Sequence, residues 1–250
     1  LQVYLTSVTE EWAVATLSGP NASKILKAAG VDISLDPNDF PFMSMQTAHI
    51  AGLPVRIFRI SFTGELSYEI NIRARHGLAL WSLLIEAGAE HGITPYGTEA
   101  MHVLRAEKGF IIVGQETDGS VTPQDLGMDW IVSKTKPDFI GKRAIARASM
   151  ANENRKQLVG LATRERARVI PEGAHAVLDP NQPMPMEMLG QVTSSYYSPN
   201  VGGSIAMAML KGGRSLKGGT VYLPMLDGDV IEAEVVDPIF FDPNGDRING

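Results

Sequence analysis

The chain has 250 residues, 44% of them apolar and 20% charged, enough for a packed core in one large domain or two to three small ones. A net charge of −6 without any Lys/Arg cluster argues against nucleic-acid binding, and no apolar run approaches the length that spans a membrane. The absence of cysteine excludes disulfides, thiolate zinc sites and cysteine nucleophiles together, and is compatible with a cytoplasmic setting.

Leu1-Gln2-Val3-Tyr4-Leu5 opens in apolar/polar alternation, and Val3–Val8 reads as a strand. With no initiator Met and no signal peptide, the chain is expected to be a piece of a longer polypeptide. A second strand, Trp12–Leu17, ends at Gly19-Pro20. Asn21 then reads as the N-cap of a helix with Ile25 and Leu26 inside. His49–Phe62 is a predicted hairpin around Gly52-Leu53-Pro54, and Leu66–Ile72 continues as a strand. Leu78–Glu90 is an amphipathic helix with Leu80, Leu83, Leu84 and Ala87 on one face. Thr98 reads as the N-cap of a helix over Glu99–Lys108, with Gly109 as its C′ residue and Ala100, Val103 and Leu104 as its buried stripe. A loop rich in Gly, Asp, Thr and Pro follows, and Phe139-Ile140-Gly141-Lys142 leads into a short helix.

From about residue 156 the signals are strands and turns. Leu158–Ala162, Gly190–Ser194, Gly203–Met209, Thr220–Leu223 and Ile231–Val236 are short β-prone runs with Gly and Pro between them. That is the texture of a small antiparallel barrel or sandwich. The fold class is therefore α+β followed by an all-β domain.

Two blocks carry chemistry. The first is Arg59-Ile60-Ser61-Phe62-Thr63-Gly64-Glu65-Leu66-Ser67-Tyr68-Glu69-Ile70, a strand, a Gly turn and a second strand. Leu66, Tyr68, Ile70 and Ile72 are apolar, so Glu69 belongs to the opposite face with Ser67 and Asn71, while Glu65 sits at the turn and is expected in solvent. From the residues alone, Glu69 is either an exposed strand carboxylate or a binding group. The second block is Gly97-Thr98-Glu99-Ala100-Met101-His102-Val103-Leu104-Arg105-Ala106-Glu107-Lys108-Gly109, in which Arg105 and Glu107 read as structural ion-pair partners.

The first block resembles the Tyr-Thr-Gly-Glu segment of the aminomethyltransferase superfamily. There, the Glu five residues after the Gly holds the pterin ring of tetrahydrofolate, and Glu69 occupies that place. A carboxylate accepts two adjacent pterin N–H groups at once, a strong and directional pairing. Phe62 stands where the family has a folate-contacting Tyr, so stacking is kept and a hydrogen bond is lost. The second block is similar to the family's Gly-Leu-x-Ala-Arg-Asp-x-Leu-Arg-x-Glu-x-Gly helix. Met101-His102 replaces its Arg-Asp pair, removing the Arg that reaches folate; the folate-binding modules of heterotetrameric sarcosine oxidase alpha subunits resemble this version. Gly127-Met128-Asp129-Trp130 with Phe139-Ile140-Gly141-Lys142 looks like the family's Trp and Phe-Ile-Gly-Lys segment, making Trp130 either a pocket wall or a core residue. Gly190-Gln191-Val192-Thr193-Ser194 with Ser198-Pro199, and the tail Asp237-Pro238-Ile239-Phe240-Phe241-Asp242-Pro243, extend the resemblance over nearly the whole chain.

The resemblance implies a partial aminomethyltransferase fold. Residues 1–94 would be the second part of one α+β folate-binding domain, 95–155 the second part of another, and 156–250 a terminal β-barrel. It implies tetrahydrofolate as the ligand, held by Glu69 with Phe62 and Trp130 as ring walls. The family's catalytic Asp would lie upstream, so no catalytic residue is assigned. FAD, FMN and NAD would belong to the parent complex, outside this chain, with its beta, gamma and delta subunits as partners. Two alternatives are a stand-alone glycine-cleavage aminomethyltransferase and a non-catalytic folate-binding scaffold. None of His49, His76, His91, His102 and His175 stands at a metal-ligand spacing, and neither a Gly-x-Ser-x-Gly nor a dinucleotide fingerprint is present.

Overall fold

The computed structural model describes residues 2–249, which form two compact units, residues 2–101 with 244–249 and residues 102–243.

The first unit is a four-stranded antiparallel sheet with two helices on one face. Its strands are β1 (Trp12–Ser18), β2 (Ser44–Ile50), β3 (Leu53–Arg59) and β4 (Ser67–Arg73), in the order β1-β4-β3-β2. Its helices are α1 (Ala22–Ala28) and α2 (Gly77–Gly88). Alternation decides the faces. Tyr68, Ile70 and Ile72 of β4, Leu17 of β1, and Val55 and Ile57 of β3 point to one side. There they meet Ile25 and Leu26 of α1 and Leu80 and Leu84 of α2. Each such buried side chain stabilises the unit by about 1.5–3 kcal/mol. The β2–β3 turn is one residue earlier than expected. Ala51 and Gly52 both take positive φ, 48° and 80°, as a two-residue turn between right-twisted strands requires, and Leu53 and Pro54 already belong to β3. Asn21 precedes α1, but its side chain donates to the His91 carbonyl and accepts from Lys24 rather than capping the helix.

The predicted strand at Val3–Val8 does not form: residues 2–8 pair with no other described segment, and Tyr4 and Leu5 are 94% and 92% exposed. Alternation alone does not make a strand without a neighbour to take its backbone hydrogen bonds.

The second unit contains a closed barrel. Strands β5 (Lys156–Thr163), β6 (His175–Ala176), β7 (Gly190–Ser198), β8 (Gly203–Lys211), β9 (Thr220–Pro224) and β10 (Val230–Val236) run in the order β6-β7-β8-β5-β10-β9. Val177, just past β6, exchanges both backbone bonds with Tyr222 of β9, at 2.8 and 3.0 Å, and this joins the two ends of the sheet. Val159, Leu161, Val192, Ala206, Ala208, Val221, Ala233 and Val235 fill the interior. β8 is buried on both faces, because Ile205, Met207 and Met209 pack outward against Ala106 and Leu158. Ala106 belongs to α3 (Thr98–Glu107); a short helix α4 (Lys142–Ile145) precedes the barrel.

The stripe expected on α3 is not what the helix buries. Ala100 is exposed, Val103 and Leu104 are half-buried, and Arg105, Ala106 and Glu107 are buried. The reason is charge pairing. Arg105 meets Glu116 at 3.0 Å and donates to Ser194 Oγ at 2.6 Å. Glu107 accepts from Ser198 at 2.6 Å and from Asn200 at 2.9 Å. Lys108 reaches the Asp242 carboxylate at 2.8 Å. Paired and hydrogen-bonded in this way, these charges are tolerated inside.

Candidate functional site

Glu69 sits at the centre of the sheet face that carries no helix. It is directly opposite Thr16 on β1 and Phe58 on β3, and Phe58 is opposite Met45 on β2, so these four form one row across the sheet. Glu69 and Asn71 are half-buried between buried neighbours, the alternation expected from the sequence. The one hydrogen bond to the Glu69 carboxylate among the described residues comes from Asn71 Nδ2 at 3.3 Å, and no cationic side chain is paired with it. The carboxylate therefore keeps most of its accepting capacity on an open face.

The loop before β4 is built around Gly64, whose φ of 79° only glycine adopts without strain and whose N–H is donated to Ser61 Oγ at 3.0 Å. Phe62 projects from this loop and is 37% exposed, while Thr63 is buried. Glu65 is not in solvent as expected: it is largely covered and ion-paired with Arg247, a residue far along the chain that local sequence does not reveal. Beside the Glu69 row, along the free edge of β1, lies a cleft of about 520 Å³. Thr16, the residue opposite Glu69, lines it, together with Val14, Trp81, Tyr96 and Met101. The sequence reading missed this cleft, because its wall is drawn from several separate stretches with no shared motif.

Trp130 lies in the second unit, on a short 3-10 turn over Asp129–Ile131, and is 74% exposed, so it is not a core tryptophan of that unit. Arg105 and Glu107, by contrast, are fully committed within that unit to Glu116, Ser194, Ser198 and Asn200. No group of three or more His, Cys, Asp or Glu side chains among the described residues could hold a metal ion.

Residues 2–136 match the model of the GCVT N-terminal domain, and residues 156–242 match the glycine cleavage T-protein C-terminal barrel domain. The chain belongs to the glycine cleavage T-protein family. Within that family it is 48% identical, over its whole length, to the sarcosine oxidase alpha subunit of Corynebacterium sp. (strain P-1), and 38% identical to that of Rhizobium meliloti. It spans only about a quarter of those proteins, 26% and 25% respectively. It is also 31% identical to an aminomethyltransferase of Halothermothrix orenii, with 91% of this chain matched to 60% of that protein. The crystal structure of the glycine cleavage system aminomethyltransferase T from Bartonella henselae superposes with a TM-score of 0.77. It covers 92% of this chain and 60% of that one, at 26% identity. The glycine cleavage T-protein fold thus accounts for both the helix-backed sheet that carries Glu69 and the terminal barrel.

Proposed function

We propose that this chain is the tetrahydrofolate-binding region of an alpha subunit of the sarcosine oxidase kind, and that it receives the one-carbon unit released when an N-methyl amine is oxidised. The observation that carries this reading is the 48% identity to such an alpha subunit over the entire chain. The Met101-His102 pair, which resembles the alpha subunits rather than stand-alone aminomethyltransferases, favours it over the simpler enzyme.

The side chains fit a reduced pterin. Glu69 offers two carboxylate oxygens on an open face, and among the described residues no cation competes for them. Two parallel N–H···O bonds would fix both the position and the rotation of the ring. Phe62 supplies a partly exposed aromatic surface beside the strand, and Trp130 is proposed as a second one. The cleft next to Thr16 gives the amine-derived group a site lined largely by apolar side chains, where hydrolysis is disfavoured. Bound tetrahydrofolate supplies the nucleophilic nitrogen that takes up the one-carbon unit, leaving glycine when the amine is sarcosine. The oxidation itself, with FAD, FMN and NAD, is assigned to parts of such an enzyme outside this chain. The beta, gamma and delta subunits are its proposed partners and the cytoplasm its proposed location.

Calorimetric titration of the intact protein with a reduced folate tests the reading. Binding at one site per chain, competed by other reduced folates, is the expected result. Absence of binding overturns it.

A further inference from the structure

The open face of the first sheet carries a second group of side chains beyond Glu69, and they are cationic and aromatic. One step along the strands from the Glu69 row, Val14, Asn71, Arg56 and Thr47 lie side by side. One step further, Trp12 is opposite Arg73. The Trp12 ring reaches across β4 toward β3. The Arg56 guanidinium carbon is 4.5 Å from its centroid and that of Arg73 is 4.8 Å away.

The two arginines are not equivalent. Arg73 is bonded to Glu11, so its charge is met locally. His49, at the rim, is bonded through Nδ1 to Asp32 at 2.8 Å. Among the described residues, no carboxylate is paired with Arg56. Its guanidinium is thus held against an indole while its N–H edge stays free, and a planar fork in that state matches a carboxylate. A hollow of about 230 Å³ lined by Trp12, Thr47, His49, Arg56 and Arg73 lies at the same place.

Distance identifies the ligand. The Arg56 backbone is opposite Asn71, two steps along β4 from Glu69, but its guanidinium lies over the Trp12 ring, and Trp12 is opposite Arg73, four steps from Glu69, about 13 Å at roughly 3.3 Å per residue. An anion bound here by a molecule whose head sits at Glu69 must hang from a linker of that reach. A reduced folate has this plan: a pterin, a benzamide spacer and glutamyl carboxylates. We propose that Arg56, braced on Trp12, binds a carboxylate of the glutamyl tail of the reduced folate whose pterin is held at Glu69. The proposal rests on the folate reading above.

The test compares two ligands on the intact protein by calorimetry: tetrahydrofolate with one glutamate, and a reduced pterin lacking the benzoylglutamate tail. Arg56→Gln is expected to weaken the tailed ligand about tenfold, the effect of one partly exposed charge-assisted bond, and to leave the tail-less pterin unchanged. Arg56→Lys, which keeps the charge but not the fork, falls between. A purely structural role for Arg56 would lower both affinities together or neither, and either result overturns the proposal. If the wild type binds both ligands equally, the tail site is refuted while the folate reading stands. If it binds neither, the folate reading fails and the tail site falls with it. Should Arg56→Gln fail to fold, Arg56→Lys carries the same comparison of the ratio between the two ligands.

Discussion

Glu69 is placed by its strand neighbours. Tyr68 and Ile70 are drawn into the core on either side, and this fixes the carboxylate on the opposite face within reach of Asn71. Replacing it tests that placement with little cost to the fold, since the core lies behind it. Glu69→Gln keeps the shape but exchanges an accepting oxygen for a donating NH₂, so one pterin N–H would face another N–H. The expected loss is about 2–4 kcal/mol, roughly thirty- to several-hundred-fold in folate affinity, with the melting temperature nearly unchanged. A carboxylate without a binding role would change affinity by less than about 0.5 kcal/mol. Equal titrations of mutant and wild type would remove Glu69 from the site.

At the scale of elements, the end of α3 shows how one residue joins helix to tail. The N–H of Gly109 returns to the Ala106 carbonyl and that of Phe110 to the Arg105 carbonyl, a left-handed helix ending in which Gly109 has φ 67°. A Cβ there would also lie 2.6 Å from the Pro238 carbonyl oxygen, because the tail runs against the helix end and donates Phe240 and Phe241 N–H groups to the Glu107 carbonyl. Gly109→Ala is therefore expected to destabilise the second unit by about 2–4 kcal/mol, read as a shift of the denaturation midpoint.

The loop leading toward the barrel is fastened by a different device. Asp125 accepts from Arg155 at 2.6 Å and from the Thr122 N–H and hydroxyl at 2.8 and 2.9 Å. Burial pushes its carboxyl up, but the bonds from Arg155 and Thr122 outweigh burial and hold it below the ordinary carboxylate range. A carboxylate depressed by folding contributes its stability above its unfolded pKa, about 3.9, and loses it as pH falls through the lower folded value. Asp125→Asn should then cost about 2 kcal/mol near pH 7, and the gap to wild type should narrow steadily below about pH 4. Denaturant titrations at several pH values give the comparison. A gap independent of pH would mean that the Asp125 charge contributes nothing.

For the whole molecule, legibility followed how local the cause was. The five longer barrel strands showed in the sequence because β-prone runs and turn residues alternate along them, whereas β6 has only two residues and no period to detect. The face of Glu69 was legible from alternation within one strand. Its proximity to Arg56 and Trp12 was not, because it depends on the order β1-β4-β3. Arg105 and Glu107 were legible as structural pairing residues, but their burial and their partners were not, since Glu116, Ser194, Ser198 and Asp242 reach the end of α3 from other parts of the chain. Val3–Val8 shows the opposite failure: a clear local pattern that no other described segment pairs with. Val3, Tyr4 and Leu5 consequently present adjacent exposed apolar side chains on an unpaired backbone, which is a template for strand addition between molecules. The 250-residue chain in isolation is expected to show light scattering that rises with concentration. Tyr4→Ser with Leu5→Ser should suppress that rise while changing folding stability by less than about 0.5 kcal/mol, because neither side chain contributes to a core. Association that persists unchanged in the double mutant would move its cause to another surface, such as the exposed Trp130 and Ile131 turn.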